Sequence, residues 1–126
     1  MKALTLRQPY VELMIQGKKT IEIRTWKTDF RGEFLVHSAK NIFYDDCIKF
    51  GLDTNKLDTG KIIGKVTLID VKKYETVEEF NADFDKHKAE PRWFRKPCYG
   101  FILENPKRLD KPIPASGSLT FFDFDI

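Results

Sequence analysis

The stretch Gly17-Lys18-Lys19-Thr20-Ile21-Glu22-Ile23-Arg24 constrains this chain more than any other, because it joins two periodicities within eight residues. Before it, Tyr10 to Gln16 carries Tyr10, Val11, Leu13, Met14 and Ile15, which makes a brief helix that packs on most sides. Only Glu12 and Gln16, four apart, share an evident polar face. Pro9 suits the first helical position, and Gly17 suits the place just past a helix end. Thr20 to Arg24 then alternates polar and apolar, as a half-buried strand does. Ile21 and Ile23 point one way, and Thr20, Glu22 and Arg24 the other. Residues two apart on a strand lie roughly 6 to 7 Å apart, so Glu22 and Arg24 are neighbours on one face. Lys19 sits in the turn, where strand parity need not hold. A lysine, a glutamate and an arginine thus gather at the mouth of a helix-to-strand turn. They read either as a site or as a solvated charged edge, since structural ion pairs are common.

The remaining β-rich runs are short and spread along the 126 residues, a length that supports one domain, 1–126, with a real core. Ala3 to Leu6 is the opening strand and Glu33 to Ala39 another, with His37 within it as a satisfied polar group or a titrating one. Gly60 to Tyr74 is the longest, interrupted by Gly64, which marks a bulge or a close backbone approach. Tyr99 to Leu103 follows, then an extended proline-rich link over 105–114, and a last strand over 119–124 with Phe122 and Phe124 on one face and Phe121 on the other. Helices are expected near 9–16, 41–50 with Asn41 as its cap, and 76–88, which opens on the capping-box pattern Thr76-Val77-Glu78-Glu79. The class is α+β: a small mixed β-barrel of five or six strands flanked by short helices.

Composition narrows the function classes. No apolar run approaches the roughly 20 residues that span a bilayer, and the first residues lack a signal-peptide core, so the expected location is cytoplasmic. Cys47 and Cys98 stand alone, with no CxxC and no Cys/His cluster, and read as buried thiols. Nothing implies a metal or an organic cofactor. Residues 1–40 carry 8 Lys/Arg against 4 Asp/Glu and residues 91–126 carry 6 against 4, while residues 41–90 carry 8 against 11. The two ends of the chain could therefore make a basic face that favours an anionic ligand. The segment 90–98, with Pro91, Arg92, Trp93, Phe94, Arg95, Lys96 and Pro97, is a loop whose aromatics either stack bases or plug the core.

Three blocks in order resemble the ASCH domain family of the PUA-like superfamily. They are Leu4-Thr5-Leu6-Arg7-Gln8-Pro9-Tyr10, the motif Gly17-x-Lys19-x-x-Glu22-x-Arg24, and Arg31-Gly32 running through the strand to Ser38-Ala39-Lys40. Tyr99 to Pro106 is a weaker echo. The resemblance implies a PUA-like bent barrel with a cleft beside the motif and RNA binding there. Small bacterial relatives that hydrolyse acylated cytidine nucleosides place a catalytic lysine where Lys19 stands. Their catalytic threonine falls at Glu22, so this chain departs from them, and their catalytic glutamate has no matching position here. Other relatives are ribonucleases. In its motif and Gln-Pro turn the chain is closer to the cointegrator-type domain.

Two function classes follow. As a binding module for RNA or a nucleotide-like ligand, Lys19 and Arg24 hold phosphate or a base edge and Glu22 orients Arg24 or accepts from an exocyclic amine. Gln8 adds an amide, and Trp26 or Tyr10 a stacking surface. As a hydrolase, an amidohydrolase or a ribonuclease, Lys19 and Glu22 are the catalytic pair. A lysine base needs a lowered pKa, which Arg24 would assist and Glu22 would oppose, a reason to prefer binding. A role in binding protein partners is the third reading.

Overall fold

A computed structural model describes residues 1–126. Six strands form one mixed sheet in the order β2-β5-β4-β3-β1-β6. The strands are β1 (Lys2–Gln8), β2 (Ile21–Arg24), β3 (Gly32–Ile42), β4 (Lys61–Tyr74), β5 (Cys98–Pro114) and β6 (Phe122–Asp123). The helices are α1 (Tyr10–Ile15), α2 (Tyr44–Lys49), α3 (Val77–Ala82) and α4 (Phe84–His87), with single 3₁₀ turns at Thr54–Lys56 and Pro91–Trp93. Only β1 and β3 pair in parallel. The expectation of a mixed sheet of five or six strands with short helices holds; closure into a barrel does not appear in the pairing, because the edge strands β2 and β6 bond only to β5 and β1.

The helix-to-strand turn forms as its sequence requires. Gly17 has φ +80°, a left-handed conformation that glycine adopts without strain. Its N–H bonds to Met14 O at 3.0 Å, and Lys18 N–H reaches Leu13 O at 2.9 Å. That pair of bonds is the Schellman ending, which satisfies the last carbonyls of α1 and turns the chain into β2. The main core cluster packs on one face of the sheet, and a smaller one of Ala3, Leu35 and Ile62 alternates with it along the strands. Leu4, Leu6, Val11, Met14, Phe34, Val36, Ile63, Val66 and Phe101 share the main cluster, with Met14 as filler. Gly64 serves close approach: a Cβ there would stand 2.4 Å from Ile15 Cδ1 and 2.5 Å from Lys107 O. The β3–β4 and β4–β5 registers slip beside it, at Val36/His37 and Ile62/Gly64.

Several boundaries differ from expectation. β5 runs on through 105–114 and pairs with β4 as far as Pro114, so the proline-rich link is strand. Its prolines sit where the pairing is irregular or ending. β3 extends to Ile42, which takes Asn41 into the strand and starts α2 at Tyr44. The helix expected over 76–88 is two pieces that break at Asp83, whose carboxylate is drawn to Tyr74 and Lys72 on β4, each at 2.7 Å. The capping box is shifted by one: Thr76 Oγ1 accepts from Glu79 N–H, but the Glu79 carboxylate reaches Glu75 N–H. β6 covers only Phe122–Asp123, although Phe121 and the Phe122/Phe124 pair do face opposite clusters. His37 is a satisfied polar group, between Thr5 Oγ1 at 3.0 Å and Ala115 O at 2.8 Å. Cys47 and Cys98 are buried free thiols. No helix is long and apolar enough to cross a membrane.

Candidate functional site

The turn after α1 and the edge strand β2 would leave charged side chains in water if nothing covered them. The α3–α4 segment does cover them. Thr20 N–H bonds to Lys86 O at 2.8 Å, which docks the end of α4 on the start of β2. Lys19 is thereby left only 4% exposed and Glu22 8%, so the charged face is interior and the solvated-edge reading fails.

The Lys19 ammonium has three N–H donors and three acceptors. It reaches Ile21 O and His87 O, both at 2.7 Å, and Glu22 Oε1 at 3.2 Å. Glu22 Oε2 accepts from Arg24 Nε at 3.0 Å and from Nη2 at 2.8 Å. Arg24 Nη2 also donates to Thr5 O at 2.7 Å, and Nη1 to Leu119 O at 3.4 Å. Arg24 therefore ties β2 to β1 across the gap between strands that share no backbone bond. Of its five N–H groups, one on Nη1 stays uncommitted. Burial pulls the Lys19 pKa below the ordinary lysine value, and Glu22 opposes that shift. Burial would raise the Glu22 carboxyl, but Lys19 and Arg24 together outweigh it and hold the group below the usual carboxylate range.

His87 completes the base. Its Nε2 donates to Phe80 O at 2.6 Å, and its Nδ1 accepts from Ala89 N–H at 2.9 Å. Both ring nitrogens are thus satisfied in one neutral tautomer. Burial lowers its pKa, because the charged ring would lose its hydration, and the nearby Lys19 charge acts in the same direction.

Above this base lies a cavity of about 470 Å³. Lys19, Glu22, Arg24 and Trp26 all line it, so four of the five expected site residues come together. Gln8 does not. It is fully buried, its Nε2 donating to Asp58 O and its Oε1 accepting Glu12 N–H, each at 3.0 Å. Pro9 has no side-chain acceptor to cap α1, and the Gln8 amide supplies one. The cavity walls are aromatic and cationic: Tyr10, Phe43, Trp93 and Arg95 join Trp26. The Tyr10 hydroxyl is fixed on Asp46, with burial and that hydrogen bond raising its pKa. The 90–98 segment divides between its two readings. Phe94 packs on the Tyr74, Phe80 and Cys98 cluster, whereas Trp93 is 43% exposed at the cavity. Thr25, Phe43 and His87 also line it, and sequence reasoning missed all three. Phe43 and His87 are distant in sequence and carry no local signal; Thr25 lies beyond the strand, where parity gives no guide.

The ASCH domain pattern matches residues 4–113, from β1 to the end of β5, and so takes in the whole charged base. The chain belongs to the ASCH domain family. It is similar to human activating signal cointegrator 1, 25% identical over 134 aligned positions that cover 97% of this chain and 22% of the cointegrator. It therefore spans about a fifth of that relative. The ASCH fold is shared with a crystal structure of ASCH from Zymomonas mobilis, at a TM-score of 0.64 with 13% identity, covering 90% of this chain and 72% of that one. The S128A variant of the Zymomonas protein superposes at 0.70 with 11% identity, covering 98% and 87%. In this ASCH domain Gly17 makes the turn before β2, and Lys19, Glu22 and Arg24 line the cavity.

Proposed function

We propose that this ASCH domain binds RNA or a nucleotide-like ligand in the cavity above Lys19, Glu22 and Arg24, within a PUA-like fold. One observation carries the reading. A hydrogen-bonded base with two cations on one carboxylate, a net charge of +1, lies under aromatic walls in a space of about 470 Å³, a size that suits a small polar ligand with a flat face. Trp26, Tyr10 and Trp93 offer faces for a base to stack on. The free Nη1 N–H of Arg24 and the exposed Arg95 are donors for phosphate or a base edge. Lys19 and Glu22 act from below: they fix Arg24 rather than meet the ligand with free hydrogen-bonding capacity.

Both tryptophans of the chain line this cavity, so binding reads out directly as a change in intrinsic fluorescence. Titration with a panel of ribonucleotides is expected to quench that signal saturably, and more weakly as salt rises. A signal indifferent to every nucleotide would reject the reading and favour a protein-binding role.

The lowered pKa of Lys19 is the observation that favours the second reading, hydrolysis of acylated cytidine or of RNA. Against it, all three Lys19 donors are occupied and Glu22 supplies no hydroxyl at the position where the deacylating relatives have one. Incubation with an acylated cytidine is expected to give no product; turnover would move the assignment to the hydrolase.

A further inference from the structure

We infer that the cavity is the head of a longer groove for a single-stranded nucleic acid, in which Arg7 and Lys40 receive backbone phosphates beyond the first nucleotide. The inference rests on the binding reading above and deepens it. A second cavity, of about 480 Å³, shares Tyr10, Glu22, Arg24, Phe43 and Trp93 with the first and adds Arg7. A third, of about 420 Å³, shares Thr5, Ala39, Ser118 and Leu119 with the second and adds Lys40 and Ser116. Neighbouring cavities thus share walls, and the row runs from Arg95 past Arg24 and Arg7 to Lys40.

The charge along this path is one-sided. Five cations line it, namely Lys19, Arg24, Arg95, Arg7 and Lys40, against the single carboxylate of Glu22, which Lys19 and Arg24 already neutralise. Thirteen of the 22 Lys and Arg side chains take part in salt bridges, and Arg7, Lys40 and Arg95 are among the nine that do not. Arg7 is pre-positioned: its guanidinium carbon lies 3.7 Å from the Phe43 ring centroid and its Nε donates to Asn41 O at 3.4 Å. Arg95 Nη1 donates only to the carbonyls of Arg92 and Phe94. A row of cations without carboxylate partners suits a repeating anion. Aromatic faces at its head need an unpaired base, which a duplex does not present. Ser116 and Ser118 add exposed hydroxyls at the far end, and Leu119, 88% exposed, offers an apolar contact between the second and third cavities.

The test uses the full chain, a labelled single-stranded RNA of about six nucleotides, the same sequence as DNA and as duplex, and a mononucleotide. The single strand is expected to bind at least about tenfold more tightly than the mononucleotide, with a log–log salt slope near −2 for three phosphate contacts. Lys40→Gln should weaken the single strand about fivefold at low salt and lower the slope by about 0.7, with mononucleotide affinity unchanged. Arg7→Gln should do the same to the single strand. Wild-type strand affinity in both variants, or a duplex bound more tightly than the single strand, would overturn the groove and leave the cavity reading standing. Failure of strand and mononucleotide alike would overturn both.

Discussion

At the scale of single residues, the base of the cavity is a hydrogen-bonded triad in which only one Arg24 N–H lacks a protein acceptor. Lys19 gives each N–H to a protein acceptor, and two cations share the Glu22 carboxylate. Removing one member strands another in the interior, where an unpaired charge is costly. Lys19→Met is therefore expected to lose about 3–5 kcal/mol of unfolding free energy, read from urea titration. A loss of the size of a surface pair, below about 1 kcal/mol, would show that the ammonium does not hold this junction. His87 makes a second residue-scale prediction. Its folded ring stays neutral at pH values where an unfolded histidine takes a proton, because burial lowers its pKa. The unfolded chain thus binds the extra proton, and stability must fall as pH drops below about 6.5 toward the depressed folded value. The Glu22 carboxyl, also depressed, keeps its stabilising effect above about 4.3 and loses it only in stronger acid. Urea midpoints should decline as pH falls below about 6.5, and His87→Gln should flatten that limb. An unchanged slope in the variant would assign the decline to other groups.

At the scale of elements, two glycines do different work. Gly17 is needed for its backbone angle, because a Cβ there would meet nothing closer than Pro106 Cγ at 3.8 Å. Gly64 is needed for space, because a Cβ would press on the Lys107 backbone carbonyl across the β4–β5 pairing. Ile15 could swing its Cδ1 aside; a backbone carbonyl in a paired strand cannot. Gly64→Ala should cost about 1–3 kcal/mol, as overpacking does. Gly17→Ala should cost only the left-handed strain of about 1–2 kcal/mol, with no displaced neighbour. The measurement is the shift of the thermal midpoint together with the amide spectrum: Gly64→Ala should move resonances across the β4–β5 pairing at Lys107 more than Gly17→Ala, whose added methyl makes only ordinary contact with Pro106. Resonance shifts confined to α1 in both variants would contradict the steric account. The α3–α4 break belongs to this scale too. Asp83 serves as the end of one helix and the start of the next while its carboxylate holds Tyr74, so one longer helix would forfeit that hydrogen bond.

At the scale of the molecule, the cavity exists because an edge strand is roofed by distant chain. The turn before β2 and β2 itself supply the charged base, α1 and the residue that precedes α2 supply Tyr10 and Phe43, and the 3₁₀ turn before β5 supplies Trp93. Arg24 spans to Thr5 O and Leu119 O, so the same guanidinium that faces the cavity also ties the edge strand β2 to β1 and to the segment before β6. This division separates residues that can be varied without harm to the fold from those that cannot. Trp93 is 43% exposed and Arg95 is exposed, so neither is part of the core. Trp93→Ala is expected to weaken nucleotide binding by about 1–3 kcal/mol, with an unfolding midpoint close to that of the parent chain. Fluorescence from the remaining Trp26 and polarisation of a labelled nucleotide would measure it. Full affinity in that variant would remove the 90–98 segment from the site.

How much of this was legible in the sequence follows from the range of the interactions. Gly17, the alternation over Thr20–Arg24, the interruption at Gly64 and the cap at Thr76 act within a few residues, so the helix ends and strands they set could be read in one dimension. The neighbourhood of Lys19, Glu22, Arg24 and Trp26 was legible for the same reason, since all lie within eight positions. The burial of Lys19 was not, because its cover comes from His87, 68 residues away. Gln8 reads as a ligand-facing amide until the fold sets it against Asp58 O and the first turn of α1. The proline-rich 105–114 run reads as a link because strand pairing depends on its partner β4, not on its own propensity. Local chemistry determined which residues turn, alternate and cap. Only the tertiary structure decided which charges leave water, because desolvation depends on what the rest of the chain lays over them.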